Sequence, residues 1–142
     1  MIYIVDFGSQ VTQLIARRVR EAGVYCEIIS NNSLLKNIEK TGCSGIIFSG
    51  GPASVHKANT PKIDKKAFDL NIPILGICYG MQLICHQLGG KVQLSKKREF
   101  GKTLIKPSKR SILFTGFNRG KTSSHVWMSH GDKVINLPKG FT

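Results

Sequence analysis

The chain has 142 residues, 41% of them hydrophobic, and 21 Lys and Arg against 8 Asp and Glu give it a formal net charge of +13. That composition excludes a disordered chain and leaves room for one domain, not two ordinary ones. No apolar run approaches the roughly 20 residues of a membrane span, and the opening Met1-Ile2-Tyr3-Ile4-Val5-Asp6 lacks the basic flank of an export signal. A cytoplasmic protein with reduced thiols is therefore expected. Its four cysteines, Cys26, Cys43, Cys78 and Cys85, form no CxxC and have no His pair at zinc spacing. No metal site is expected, and the cysteines read as small core residues unless a local motif gives one of them chemistry.

In chain order, Ile2–Val5 reads as a strand. Val11, Leu14, Ile15, Val19 and Ala22 follow at helical spacing, with Ser9 as N-cap and Gly23 as the stop. Val24–Ile29 is the second strand and Leu34–Glu39 a short helix. Gly45–Phe48 is the third strand, closed sharply by Ser49-Gly50-Gly51-Pro52. A helix near Ile63–Leu70, a strand at Pro73–Ile77 and a helix at Tyr79–Leu88 complete the alternation. Strand–helix alternation of this kind predicts an α/β fold: an open, mostly parallel sheet with helices on both faces. Lys91–Leu94, Lys102–Lys106, Ile112–Phe114 and Val126–Met128 are strand-like with no helices between them, so an antiparallel C-terminal extension is expected.

Charge concentrates in one stretch. Lys91, Lys96, Lys97, Arg98, Lys102, Lys106, Lys109 and Arg110 face a single acid, Glu99. Such a run can be a nucleic-acid footprint or a solvated face. Only Phe100 interleaves aromatically, so no base-stacking platform is visible, and the solvated face is the preferred reading.

The sharpest motif is Gly76-Ile77-Cys78-Tyr79-Gly80, a G-x-C-x-G between a buried strand and a helix. It has the form of a nucleophile elbow with cysteine as the nucleophile. A Cβ at Gly76 or Gly80 is expected to clash with neighbouring elements. The turn lifts Cys78 into the crevice beyond the strand ends, where open α/β sheets bind ligands. The following helix N-terminus is expected to lower the thiol pKa, and the Tyr79 N–H faces the place where an oxyanion forms. A buried core cysteine at a glycine-rich turn is the other reading of the same five residues. Ser49-Gly50-Gly51 supplies a second candidate oxyanion donor. Its start also matches a phosphate loop of the form S-G-G-x-D-S, but position 53 is Ala, which defeats that reading. Trp127-Met128-Ser129-His130-Gly131-Asp132, taken alone, reads as a polar turn after a strand.

Together these pieces resemble class I (triad-type) glutamine amidotransferase domains, and within that family the branch found in GMP synthases. The residues carrying the resemblance are Val5-Asp6-Phe7-Gly8-Ser9-Gln10 and the Gln13–Glu21 helix. To them are added Ile47–Val55, the Cys78 elbow with Gln82, and Met128-Ser129-His130-Gly131-Asp132. The resemblance runs over the whole chain and implies a flavodoxin-like sheet. It also implies that Cys78 attacks the side-chain amide of glutamine while the Gly51 and Tyr79 N–H groups hold the oxyanion. Gly50, Gln82, Ser129, His130 and Gly131 take the glutamine-recognition positions. The ammonia passes to a synthetase domain that uses ATP and Mg²⁺ to aminate XMP to GMP. No cofactor falls to this chain, and its partners are glutamine and a separate synthetase or complementing chain.

One departure stands against these matches. The family completes its triad from a downstream H-x-E segment, and no H-x-E occurs in these 142 residues: His56, His86, His125 and His130 are followed two places on by Ala58, Leu88, Trp127 and Asp132. His86 lies eight residues down its helix from Cys78, about 12 Å along the axis. The expectation is a single, C-terminally incomplete amidotransferase domain over residues 1–142, with no synthetase domain. A catalytically inactive relative and a basic nucleic-acid-binding module are the alternatives.

Overall fold

A computed structural model describes residues 1–106, 112–115 and 123–141, without the side chains of 95–100, 112 and 130. Four strands, β1 (Ile2–Asp6), β2 (Cys26–Ser30), β3 (Gly45–Phe48) and β4 (Ile74–Gly76), form one parallel sheet in the order β2-β1-β3-β4. The register sets Ile4 between Ile28 and Ile47, and Tyr3 between Glu27 and Ile46. Side chains alternate across a strand, so each strand of the pair β1 and β3 feeds two cores. Ile4, Cys26 and Ile47 pack with Ala16 on one face; Tyr3, Val5, Ile46 and Phe48 pack with Leu34, Ala67 and Leu83 on the other.

Helix α1 (Thr12–Glu21) covers the first face, while α2 (Leu34–Thr41), a 3₁₀ turn at Lys65–Asp69 and α3 (Tyr79–Gln87) cover the second. Helices on both faces are what the β–α alternation demands, because each crossover must return to the amino end of a parallel strand. The inward stripe of α1 is narrower than its apolar spacing suggests. Thr12 and Ala16 are buried and Ile15 and Val19 pack behind them, but Val11 and Leu14 are exposed. Ser9 does not cap α1 by its side chain in the usual position; its Oγ accepts the N–H of Val11 at 3.2 Å and its carbonyl that of Thr12 at 3.3 Å. Gly23 ends the helix in the left-handed region, at φ 78°.

The expected Ile63–Leu70 helix is only the 3₁₀ turn, and Ile112–Phe114 is another 3₁₀ turn, not a strand. Three apolar residues carry no period that separates the two. The remaining strand-like segments merge into two long strands, β5 (Lys91–Ile105) and β6 (Ser124–Asn136), which pair as a small antiparallel sheet. The Ser129–Gly131 segment, expected as a turn, lies inside β6. The chain divides into two compact units, Met1–Gln93 with Asp132–Thr142, and Leu94–Gly131. Of the basic stretch, Lys91, Lys102 and Lys106 are exposed, while Lys109 and Arg110 lie outside the described residues. Among the described residues no helix is long and apolar enough to cross a membrane.

Phe48 is fully buried and meets Phe7 edge-on at 5.8 Å and Phe68 at 6.1 Å. Truncation to Ala removes the ring on which both pack. Phe48→Ala is expected to cost about 3–5 kcal/mol, read as a fall in the urea midpoint with an unchanged m-value.

Candidate active site

The site forms where β1, β3 and β4 end, at the carboxyl edge of the parallel sheet. Strand order reverses between β2-β1 and β3-β4, and open α/β sheets place ligands at such a switch point. Three segments leave the sheet there: Phe7-Gly8-Ser9 after β1, Ser49-Gly50-Gly51 after β3, and Ile77-Cys78 after β4.

Cys78 adopts φ 51° and ψ −111°. The Gly80 N–H donates to the Ile77 carbonyl at 3.0 Å. These are the features of a type II′ turn with cysteine at its first central position, a place that glycine ordinarily fills. The turn passes straight into α3, so Cys78 is exposed at the helix N-terminus while Tyr79 and Gly80 beside it are buried.

The flanking glycines are steric requirements, as their spacing suggests. A Cβ on Gly80 lies 2.4 Å from the Phe48 carbonyl oxygen, and one on Gly76 lies 2.6 Å from the Met81 backbone. The Ile77 N–H donates to the Phe48 carbonyl at 2.9 Å, and the Gly80 N–H also reaches the Ser49 carbonyl at 3.1 Å. The elbow is thereby fixed to the end of β3 by backbone contacts. A Cβ on Gly50 meets the Cys78 Cβ at 3.4 Å and the Ser9 Oγ at 3.5 Å; one on Gly51 lies 2.5 Å from the Phe7 carbonyl oxygen. Gly50 therefore lies beside Cys78, where an added Cβ would come into contact with it, with Gly51 the next residue along. Among the described residues, neither the Gly51 nor the Tyr79 N–H donates to an acceptor.

Tyr79 contributes more than its backbone. Its ring is buried against Phe7 at 5.3 Å, and its hydroxyl donates to the Pro61 carbonyl. Gln82 is buried, and its Nε2 donates to the Asp132 carbonyl at 3.0 Å. Asp132 is also buried and accepts the Ser54 hydroxyl at 2.6 Å. Ser129 and Gly131 stand in β6 within the second unit, with Ser129 exposed; the side chain of His130 lies outside those described. His56 and His86 face each other with ring centroids 6.4 Å apart. His86 occupies the last turn of α3, the end away from Cys78.

Burial pushes the Cys78 thiol up from its ordinary value. The helix N-terminus acts in the opposite sense, but no described side chain hydrogen-bonds the sulfur. The sequence expectation of a lowered thiol pKa is therefore overturned: desolvation, which periodicity cannot reveal, leaves the thiol above its ordinary value. Two groups that sequence reasoning passed over are Ser49, fully buried under the Gly50 turn, and the Phe7 ring between Phe48 and Tyr79. For Ser49 the only signal was its place between a buried strand and a Gly-Gly pair. Ala53 stands where a phosphate loop of the form S-G-G-x-D-S has its Asp.

An exposed thiol at the start of a helix, on a strained turn at the carboxyl edge of a parallel sheet, has the form of a nucleophile elbow with cysteine at its apex. The chain belongs to the glutamine amidotransferase class-I family, whose profile matches residues 3–142. It is 53% identical over 140 residues to the GMP synthase [glutamine-hydrolyzing] of Aquifex aeolicus strain VF5, and 55% identical over 140 residues to that of Agrobacterium fabrum strain C58. Each match covers 99% of this chain and 27% of the relative, so the chain spans about a quarter of those proteins' length. Among solved structures, a protein from Thermoplasma acidophilum described as a GMP synthase subunit superposes with a TM-score of 0.79 at 36% identity, covering 99% of this chain and 69% of that one. A glutamine amidotransferase from Thermotoga maritima shares the fold, with a TM-score of 0.69 at 23% identity over 97% of this chain and 63% of that one.

Cys43 is half-buried and Cys26 and Cys85 are buried, so limiting iodoacetamide is expected to label Cys78 first. A raised pKa leaves less thiolate at neutral pH than a free thiol has. The Cys78 labelling rate should therefore still be climbing at about pH 8.5, the ordinary thiol midpoint. Peptide mapping by mass spectrometry across pH 6–10 checks both points; a plateau near pH 7 contradicts the second.

Proposed function

We propose that this chain is the glutamine-hydrolysing portion of a GMP synthase, releasing ammonia that a synthetase portion uses to convert XMP to GMP. The Cys78 turn is the observation that carries the reading. It holds the one exposed thiol at a helix N-terminus, beside Gly50, with two unengaged backbone N–H groups in the adjoining residues.

The chemistry follows from those groups. Cys78 loses its proton to a base, and its sulfur bonds to the side-chain carbonyl carbon of glutamine. The carbonyl oxygen becomes an oxyanion, held by the N–H groups of Gly51 and Tyr79. The carbon–nitrogen bond breaks as the proton is returned to nitrogen, and ammonia leaves. Water then attacks the thioester, yielding glutamate and restoring the thiol. Gly50, beside Cys78, leaves open the approach that any side chain there would fill. Gln82 donates its amide N–H to the Asp132 carbonyl, and its recognition role rests on the sequence motif. For Ser129, His130 and Gly131 themselves the support is the sequence motif alone.

No described histidine or carboxylate hydrogen-bonds the Cys78 sulfur, and the resemblance assigns base and acid to an H-x-E segment that these 142 residues do not contain. ATP and Mg²⁺ act in the synthetase portion, a linked domain or a separate chain. Four free cysteines accord with a reducing cytoplasm.

Without a positioned acid and base, turnover by this chain alone is expected to be very weak, since loss of such partners costs on the order of 10³–10⁶ in rate. Covalent capture does not need them. A chloroketone analogue of glutamine should modify Cys78, free glutamine should protect it, and Cys78→Ala should abolish the modification. Labelling spread over other residues, or unaffected by glutamine, refutes the assignment.

A further inference from the structure

Ser49 follows β3 and is fully buried. Its backbone N–H donates to the Val5 carbonyl at 3.0 Å, and its carbonyl accepts the Gly80 N–H at 3.1 Å. Its hydroxyl oxygen accepts the Phe7 N–H at 3.2 Å. A serine has one hydroxyl proton, and here it goes to the Gly50 carbonyl at 3.0 Å.

That carbonyl and the Gly51 N–H belong to one planar peptide unit. The chain has no cis peptide bonds among the described residues, and in a trans peptide the C=O and N–H point in opposite directions. Holding the Gly50 oxygen to the buried hydroxyl therefore turns the Gly51 N–H away from the interior. Pro52 restricts Gly51 toward extended backbone, but Gly50, with no Cβ, leaves its own side of this peptide plane loosely set. Among the described residues no other group hydrogen-bonds the Gly50 carbonyl or the Gly51 N–H.

We propose that Ser49 is a positioning residue for the oxyanion donor: its hydroxyl locks the Gly50–Gly51 peptide in the orientation that presents the Gly51 N–H to the oxyanion formed at Cys78. Without that proton the peptide is freer to rotate, and the opposite orientation offers a carbonyl oxygen, which repels the developing charge. The inference rests on the oxyanion role proposed for Gly51. It adds a side chain that touches neither glutamine nor the sulfur.

Two reagents acting on the same thiol separate this role from a merely structural one. With the chloroketone analogue of glutamine, the Cys78 thiolate adds to the ketone carbon and gives an oxyanion. The sulfur then displaces chloride, leaving a thioether while the thiol proton passes to solvent. Iodoacetamide reacts by direct displacement of iodide and forms no oxyanion. Ser49→Ala is expected to slow the chloroketone at least tenfold, toward the 10²–10³ seen when an oxyanion donor is removed outright. The iodoacetamide rate should stay within about twofold. Ser49→Thr, which keeps the hydroxyl, should keep the wild-type ratio of the two rates. An unchanged ratio in Ser49→Ala, or an equal fall in both rates, overturns the proposal. If Ser49→Ala does not fold, a collapsed ratio in folded Ser49→Thr overturns it as well. Failure of the underlying assignment is distinct, because wild-type protein would then show no glutamine-protected chloroketone labelling at Cys78.

Discussion

The site depends on how closely the first turn of α3 approaches the end of β3. Gly80 lies so near the Phe48 carbonyl that a single methyl group there would sit 2.4 Å from the oxygen. That proximity lets the Ile77 and Gly80 N–H groups reach the Phe48 and Ser49 carbonyls. Strand and helix are joined by main-chain hydrogen bonds in addition to their shared core. The position of the Cys78 sulfur is thus inherited from the sheet. Below it the edge-to-face contacts of Phe7 with Phe48 and Tyr79 fill the same corner. Rings packed in this way resist compression, so the floor of the site is as fixed as its walls.

Much of this was legible in the residues. The doubly apolar runs of β1 and β3 announce strands buried on both faces, and Gly76 and Gly80 declare a tight strand-to-helix turn around Cys78. The backbone spacing of G-x-C-x-G has few geometric solutions, which is why a short motif located the Cys78 turn. The later segments were harder to read. Ile112–Phe114 is too short to express a period, and Ser129-His130-Gly131-Asp132 looks like a turn by composition yet continues β6. Strand pairing there overrides the local preference of serine and glycine for turns. Ser49 and the Phe7 ring were invisible because their partners lie far away in sequence or in the backbone itself.

The electrostatics of the elbow contain an internal opposition. Burial raises the cost of the thiolate at Cys78, while the first turn of α3 lowers it. With its pKa raised, the thiol stays largely protonated at neutral pH until something else takes the proton. Reactivity then follows the arrival of a base and does not stand permanently switched on. The thiolate is the reactive form, so an exposed cysteine kept protonated is slower toward adventitious alkylation and oxidation than a free thiolate.

The left-handed backbone at Cys78 sets local comfort against the demands of the turn. At φ 51° and ψ −111° a side chain is strained, and such strain is worth on the order of 1–3 kcal/mol. Glycine would relieve it at no steric cost. The rest of the fold therefore over-determines this one residue: the close approach of α3 to β3 holds the cysteine in a conformation that its own backbone disfavours.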